Sequence, residues 1–203
     1  MKNKLFLIIL VLFTFNVSNI QAQRFLSVIS YSTALPLGNT SDFINSFSWR
    51  GFTVEGRTFT QDNLSFGILF GWNFLDEKTD ETIQIENGAV SGIQIRYMDA
   101  IPIMATAHYY FGKRRKKSLR PFMGINAGAF VINQRMDIGI WSLRSNNWHF
   151  GFAPEVGVLV PLGTSSIAFS VKYNYAFASG NSFYSDDNSQ SFINFNIGYG
   201  IGY

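Results

Sequence analysis

Six ionisable side chains interrupt segments that otherwise alternate between large apolar residues and small or polar ones. Because alternate residues of a strand point to opposite faces, each of the six belongs to the face opposite the large apolar side chains. An isolated buried ion is costly, so charges on that face must pair. The pattern predicts an interior network of ion pairs and hydrogen bonds, with a gated proton or ion path and proton-coupled chemistry as alternatives. The six residues are Glu55, Arg57, Arg96, His108, Glu155 and Lys172.

Glu155 and Lys172 lie on consecutive segments that are joined around Gly163 and Thr164. A two-residue turn would set the two side chains directly opposite each other, and a four-residue loop would set them one step diagonal. Both residues fall near the middle of their segments, where bulk water is hard to reach. We therefore predict that they form a buried pair.

The sequence offers little else for catalysis. It contains no Cys, which excludes a thiolate nucleophile and a disulfide. His149 has Ser142 and Ser145 nearby in the sequence, but no carboxylate is placed to orient it, as a Ser–His hydrolase requires. Metal-ligand spacing, phosphate loops and dinucleotide fingerprints do not occur. We predict a non-catalytic protein without metal or cofactor.

The segments that carry these residues alternate with a period of two, which is typical of half-buried β-strands. In GFAPEVGVLVPL, apolar side chains recur at every second position from Phe152 to Leu162. Aromatic residues make up 17% of the chain and charged residues only 14%, against about 25% in soluble domains. Eight strands are predicted, at 24–35, 49–60, 64–75, 93–112, 120–133, 148–162, 166–178 and 191–203.

The composition of the two strand faces separates a membrane barrel from a soluble protein. In a soluble β-sandwich or lipocalin-like barrel, the face opposite the core meets water and carries Lys, Glu, Thr and Arg. Here that face is mostly Gly, Ala, Ser and Asn, whereas the other is large and aromatic, as a lipid-facing surface needs. Backbone groups cannot stay unpaired in lipid, so the sheet must close. We predict an all-β fold, an eight-stranded antiparallel transmembrane β-barrel with up-and-down meander topology; the soluble barrel or sandwich is the alternative.

The predicted connections alternate between short turns and long loops, as in outer-membrane barrels. The short ones surround Asp62 and Thr164, and a moderate one contains the basic run 113–117, followed by Arg120. No basic face surrounds that run, so we predict a solvated turn, or contact with lipid phosphates or a periplasmic partner, and no nucleic acid. The termini are then periplasmic and the long loops extracellular, at 36–48, 76–92, 134–147 and 179–190.

Aromatic residues fall at the predicted ends of the strands, as the interfacial belts of a membrane barrel do. The outer rim would hold Trp72, Phe74, Trp148, Phe150, Tyr175 and Phe177. The inner rim would hold Tyr109, Phe111, Tyr199 and Tyr203. Two matching belts favour a membrane-spanning barrel over an ordinary core.

Both ends of the sequence carry features that are typical of proteins of the bacterial cell envelope. Lys2 and Lys4 precede an apolar run of eleven residues, Leu5–Phe15, and Ile20-Gln21-Ala22 follows. That run is too short for a membrane span of roughly 20 residues. Residues 1–22 are therefore predicted to be a cleaved signal peptide, and 23–203 the barrel domain. The final segment, FINFNIGYGIGY, is predicted to close the barrel and to act in assembly through Phe195, Ile197, Tyr199, Ile201 and Tyr203.

Five stretches of the sequence carry a resemblance to a known family. They are IQAQ, WRGFTVEGRTFTQDNLSFGILFGWNF, RPFMGINAGAF, FGFAPEVGVLVPL and the terminal GYGIGY. Together they resemble the outer-membrane β-barrel domain family of Gram-negative bacteria. The chain is most similar to the small eight-stranded OmpA/OmpX-like barrels, in the form common in the Bacteroides–Flavobacterium group.

The resemblance implies a porin-like protein of the cell outer membrane. Its implied partners are outer-membrane lipid, the outer-membrane assembly machinery through the C-terminal strand, and other envelope proteins. The implied role is structural or interactive, including that of an accessory subunit of a larger envelope complex. A narrow channel or small-solute transporter is the alternative.

Overall fold

The computed structural model describes residues 24–79, 82–85, 88–91, 93–112, 118–180 and 187–202. A short helix, α1, spans Asn39–Phe43, and no helix within these ranges has the length and apolar character needed to cross a membrane. Most of the described residues are in strands. These are β1 (Arg24–Leu37), β2 (Arg50–Gln61), β3 (Leu64–Thr79), β4 (Thr82–Ile85), β5 (Gly88–Ser91), β6 (Gln94–Tyr110), β7 (Arg120–Ile138), β8 (Trp141–Leu162), β9 (Ser165–Ala176) and β10 (Gln190–Ile201).

Eight of the strands form one closed barrel, in the order β1-β10-β9-β8-β7-β6-β3-β2. Strands β4 and β5 form a separate two-stranded hairpin between β3 and β6. The barrel closes through β1 and β10, which pair from Ser27↔Ile201 to Leu37↔Ser191. All neighbouring barrel strands are antiparallel. The predicted eight-stranded antiparallel meander is confirmed.

Large apolar side chains cover the outside of the barrel. On β8, Trp148, Phe150 and Val156 are exposed, whereas Ala153 and Glu155 are buried. Successive residues of a strand point to opposite faces, so the alternation in sequence becomes an apolar outer wall around a small and polar interior. This is the arrangement of a lipid-facing barrel, since a soluble barrel buries its apolar face.

The interior of the barrel is layered along its axis. At the end that holds both described termini, an apolar cluster fills the space: Leu26, Val28, Phe59, Tyr110, Phe122, Leu159 and Ala168. Polar and charged side chains occupy the middle layers. A second apolar cluster at the opposite end includes Leu75, Met98, Phe130 and Phe192. The polar layers are therefore enclosed between two apolar ones.

The segment between β1 and β2 folds into the mouth of the barrel. Gly38 leads from β1 into α1 with a φ of 51°, a positive value that glycine adopts readily. Phe43 and Ile44 then pack, buried, into the second apolar cluster. The hydroxyl of Thr40 donates to Gln190 Oε1 at 2.8 Å and ties α1 to β10. The predicted loop 36–48 thus forms a plug at this end of the barrel.

One predicted long loop is wrong. Strands β7 and β8 continue through 134–147 and meet at a tight turn at 139–140. Charged residues such as Arg135 and Asp137 suggest a loop, but they are outward residues of a strand and alternate with buried ones such as Met136. The hairpin extends beyond the apolar wall, where outward positions meet water and carry polar side chains.

Some predictions are only partly covered by the structure. Strand β3 runs to Thr79, and the β4–β5 hairpin occupies part of the predicted loop 76–92. Outside the described residues lie the predicted signal peptide at 1–22, the basic run 113–117, residues 181–186 of the last predicted long loop, and Tyr203.

Aromatic side chains cluster at both ends of the apolar wall. The rings of Phe150 and Phe177 stack with centroids 6.4 Å apart, and Trp72 and Phe74 lie 5.9 Å apart at the same end. At the end that holds the termini, Tyr109 contacts Phe111 edge to face at 5.3 Å. Amphipathic rings at both rims suit the two interfaces of a bilayer.

Ile68→Arg is expected to destabilise the barrel by about 2–4 kcal/mol in phosphatidylcholine vesicles, because it places a charge in the middle of the lipid-facing wall. Ile140→Arg is the matched control, since Ile140 lies at the tip of the β7–β8 hairpin; it should change stability by less than about 0.5 kcal/mol. Ile68 is 69% exposed and Ile140 is 94% exposed, so surface exposure does not separate them. Urea unfolding of the refolded variants measures both, and equal effects would contradict a lipid-facing wall.

Candidate functional site in the barrel interior

Five of the six predicted ionisable residues lie together in one buried layer. They come from β2, β6, β8 and β9, which the closed barrel arranges around a common lumen. All occupy inward positions, and none is more than 5% exposed. These residues, referred to below as the charged layer, are Glu55, Arg57, His108, Glu155 and Lys172.

Arg57 connects both carboxylates of the charged layer to the apolar cluster next to it. Its Nη2 donates to Glu55 Oε2 at 2.7 Å, and its Nη1 donates to the hydroxyl of Tyr110 at 2.8 Å. Nη2 also lies 4.0 Å from Glu155 Oε1, and the guanidinium carbon is 4.9 Å from the ring centre of Phe122. A planar guanidinium with several donors suits such a junction.

His108 stands between the two carboxylates. Its Nε2 is 3.2 Å from Glu155 Oε2, and its Nδ1 is 3.6 Å from Glu55 Oε1. The first contact is a hydrogen bond donated by Nε2, because an ionised carboxylate only accepts. The second is too long for a hydrogen bond. His108 Nδ1 and Glu55 Oε1 are accordingly both buried without a hydrogen-bond partner among the described residues.

Glu155 and Lys172 are paired directly across β8 and β9. Strand β8 ends at Leu162 and β9 begins at Ser165, so the two-residue connection produces the direct rather than the diagonal pairing. Lys172 Nζ lies 3.5 Å from Glu155 Oε2. The positive charges of Arg57 and Lys172 balance those of the two carboxylates, so the layer is neutral when His108 is neutral.

Arg96 lies apart from the charged layer, near the opposite end of the barrel. Its Nη1 donates to the carbonyl oxygen of Phe43 at 3.1 Å, and its Nη2 donates to Gln94 Oε1 at 3.3 Å. The first of these bonds satisfies a backbone acceptor at the end of α1, where helical carbonyls lack partners. Arg96 therefore holds the plug in place.

Arg120 is an interior cation at a position where the basic run 113–117 predicts a solvated turn. It is fully buried at the start of β7. Its Nη2 donates to the carbonyl oxygen of Asp62 at 2.5 Å, and its guanidinium carbon lies 4.9 Å from the ring centre of Tyr110. The alternation of the strand could have predicted this, because Arg120 lies two residues before the inward Phe122 and therefore on the same face.

Asparagine side chains form a further polar layer that the sequence analysis did not identify. Asn194 Nδ2 donates to Asn73 Oδ1 at 2.8 Å, and Asn174 Nδ2 donates to Asn194 Oδ1 at 2.7 Å. Asn73 is on β3 and Asn194 is on β10, which are not neighbours in the barrel, so their bond crosses the lumen. Contacts of this kind depend on the stagger and diameter of the barrel, which a strand pattern does not specify.

The charged layer also offers ligand atoms for a metal ion. The side-chain ligand atoms of Glu55, His108 and Glu155 lie within 4.8 Å of one another. Arg57 and Lys172 already neutralise the two carboxylates, however, and an added divalent cation would leave uncompensated charge in a buried site. The arrangement fits an ion-pair network better than a metal centre.

His149, the other histidine, is held by a backbone group. Its Nδ1 donates to the carbonyl oxygen of Phe177 at 2.9 Å. Ser145, close to it in sequence, accepts a hydrogen bond from Asn147 Nδ2 at 2.9 Å. A Ser–His hydrolase orients its histidine with a carboxylate, and none of the hydrogen bonds described for His149 involves one.

Most of the predicted closing-strand residues point away from the lumen. Phe195, Ile197, Tyr199 and Ile201 are exposed on β10 and form part of the apolar wall. Ile201 also pairs with Ser27 of β1 and with Ser165 of β9. Their role as an assembly signal stays a prediction.

The closed barrel and its apolar wall define the fold as that of the small eight-stranded outer-membrane β-barrels. No known family profile matches the sequence, and no curated protein is significantly similar to it. Among solved structures, the chain is similar to Neisserial surface protein A, with 15% identity, a TM-score of 0.52, and coverage of 88% of this chain and 97% of that one. It is also similar to Ail, the attachment invasion locus protein of Yersinia pestis, solved with the heparin analogue sucrose octasulfate, with 11% identity, a TM-score of 0.50, and coverage of 88% and 97%. At these identities the likeness shows a shared fold.

Glu155→Gln and Lys172→Met are each expected to destabilise the refolded barrel by about 3–5 kcal/mol, because each leaves a buried charge without one of its partners. The double substitution should cost less than the sum of the two, since residues in one network are coupled. Urea unfolding in lipid vesicles gives the three free energies.

Arg50 and Asp76 provide a matched control pair, because they form an ion pair on the outside of the barrel with side chains 58% and 40% exposed. Arg50→Gln and Asp76→Asn should each cost about 0–1 kcal/mol and should add nearly independently. Additive losses at Glu155 and Lys172 would show that these two residues are not coupled.

Proposed function

We propose that this chain is a non-catalytic integral protein of the outer membrane whose closed barrel presents surfaces for interaction. The filled interior carries this proposal. Within the described residues, two apolar clusters enclose the charged layer, and Phe43 and Ile44 of the plug complete the cluster at one end. An eight-stranded barrel has a lumen that side chains just fill, so it serves as a rigid support rather than a wide pore.

The proposed orientation has both termini in the periplasm. The plug, the β4–β5 hairpin, the extended β7–β8 hairpin and the β9–β10 connection then lie outside the cell. The short turns around Asp62 and Thr164 lie at the same end as the described termini, and outer-membrane barrels place short turns on the periplasmic side. A signal peptide at residues 1–22 would direct the chain across the inner membrane to the periplasm. The apolar wall implies outer-membrane lipid as a partner, and insertion would require the assembly machinery to recognise the C-terminal strand.

A narrow, gated channel is the second candidate, and one observation favours it. Glu55 Oε1 and His108 Nδ1 are buried without hydrogen-bond partners within the described part of the chain. Buried polar groups without partners are costly, and a network that rearranges could give them partners in its second arrangement. A change of partners within the charged layer would be the opening step of such a channel.

Planar-bilayer recordings separate the two candidates. The wild-type protein is expected to give no reproducible unitary current steps, because packed side chains fill its lumen. A channel would instead give steps that Lys172→Met alters, since Lys172 lies in the charged layer. Lys78→Met is the control, because Lys78 is an exposed outward residue of β3. Steps with that sensitivity would overturn the closed-barrel proposal.

Single-cysteine labelling tests the orientation, and the chain has no native Cys to interfere. In intact cells, a membrane-impermeant maleimide is expected to modify Ile140→Cys, at the tip of the β7–β8 hairpin. It should spare Asp62→Cys and Thr164→Cys, which are exposed in the short turns of the opposite end. Permeabilised cells should show labelling at all three positions. The reverse pattern in intact cells would invert the proposed orientation.

A further inference from the structure

The outer wall of the barrel contains a polar cleft at the end opposite the termini. Its volume is about 650 Å³, and it lies across β3, β6, β7 and β8. It is separate from the charged layer, because most of its lining residues occupy outward positions. The lining residues are Phe74, Tyr97, Asp99, Asn133, Gln134, Arg135, Arg144, Ser145 and Asn146.

The register of the strands arranges the outward residues of the cleft in two rows. In one row, Phe74 pairs with Asp99, Asp99 with Asn133, and Asn133 with Asn146. In the next row outward, Tyr97 pairs with Arg135 and Arg135 with Arg144. Arginine, amide, carboxylate and aromatic side chains therefore share one continuous surface.

The cleft begins where the apolar wall ends. The outward row just before it pairs Ile101 with Val131 and Val131 with Trp148. Two residues along a strand span roughly 7 Å, so the polar cleft lies within one headgroup layer of the lipid-facing surface. A lipid whose acyl chains lie on this wall would carry its headgroup into the cleft.

Arg135 and Arg144 stand directly opposite each other, and both are exposed. Like charges in directly opposed positions destabilise a sheet unless an anion lies between them. Asp137 is one such anion. Arg135 Nε donates to its Oδ1 at 2.9 Å, and Arg135 Nη2 donates to its Oδ2. Among the described residues, Asp137 is the one carboxylate that contacts this arginine pair, because Asp99, the other carboxylate of the cleft, lies one row nearer the apolar wall and accepts from Trp72. Phosphate is a preferred partner of paired guanidinium groups.

The rest of the cleft has the chemistry of a sugar site. Trp72 Nε1 donates to Asp99 Oδ1 at 2.9 Å and orients that carboxylate, whose second oxygen suits a hydroxyl donor. Asn133 and Asn146, paired across β7 and β8, bring further amide groups to the same lining. The rings of Phe74 and Tyr97, with centroids 6.0 Å apart, form the apolar side of the cleft.

We propose that this cleft binds the phosphorylated sugar headgroup of a membrane glycolipid, with phosphate between Arg135 and Arg144 and sugar hydroxyls on Asp99, Asn133 and Asn146. The inference rests on the proposed outer-membrane location, because the lipid reaches the cleft along the apolar wall. A glycolipid is favoured over a soluble sugar phosphate because the cleft is continuous with that wall.

Native mass spectrometry of the refolded full chain tests the proposal. The protein is incorporated into phosphatidylcholine nanodiscs that contain a diphosphorylated glucosamine-disaccharide lipid, and the lipid retained after transfer to detergent is quantified. Arg144→Gln is expected to lower retention of that glycolipid about tenfold, the order expected for loss of a charge-assisted contact. Lys78→Gln removes a positive charge from an exposed outward position at the same end of the barrel but outside the cleft, and should change retention by less than about twofold.

Any of four outcomes would overturn the proposal. Two concern the variants: equal retention by the wild type and Arg144→Gln, or an equal loss in Lys78→Gln. Two concern the lipid: equal retention of the dephosphorylated lipid, or equal retention of phosphatidylethanolamine. A deacylated phosphodisaccharide that binds as tightly as the lipid would overturn the membrane source and indicate a soluble ligand. Heat-modifiable migration on gels reports barrel folding in the same samples. Failure of the wild-type chain to fold into the bilayer would count against the outer-membrane proposal itself, whereas a folded barrel without glycolipid would count against the cleft alone.

Discussion

The pairing of β1 with β10 is the contact on which the rest of the structure depends. In a lipid environment, an unpaired strand edge would leave a row of backbone donors and acceptors without partners, so the sheet must close. Closure is long in range, because it joins residues such as Ser27 and Ile201 from opposite ends of the described chain. It also defines a lumen, and every inward side chain then has to fit a space of fixed diameter.

That lumen explains why charge is tolerated in the middle of so apolar a protein. The apolar clusters at the two ends keep water away from the charged layer, which strengthens attraction between its ions and also raises the cost of any ion left alone. The arrangement of Arg57, Glu155 and Lys172 meets this demand, since each ion has a partner of opposite charge within 4.0 Å. Such a layer is not in itself evidence of high stability, because the cost of burying the ions can exceed the gain from pairing them.

The alternation of apolar with small or polar residues along each strand carried most of the information that the sequence held about this fold. It was sufficient for the meander, for the apolar wall, and for the faces of Glu55 and His108. Where charged residues suggested contact with solvent, the charge was given more weight than the alternation. Arg120 was therefore assigned to a solvated turn, and the strand residues of 134–147 to a loop. The alternation could not predict the hydrogen bond between Asn73 and Asn194, because the stagger of a closed barrel decides which inward residues meet across the lumen.

The strands β6, β7 and β8 show how one pattern serves three environments. Their inward residues fill the lumen, their outward residues up to Val131 and Trp148 form part of the apolar wall, and their outward residues beyond that point become polar. The period of two continues without interruption, so the change reflects a change of medium and not of structure. Because the same rigid strands continue from the wall into the cleft, Arg135 and Arg144 are held at a fixed height above the lipid-facing surface. Loops alone would not give this precision, since their backbones lack the continuous pairing that fixes both register and side-chain direction in a sheet.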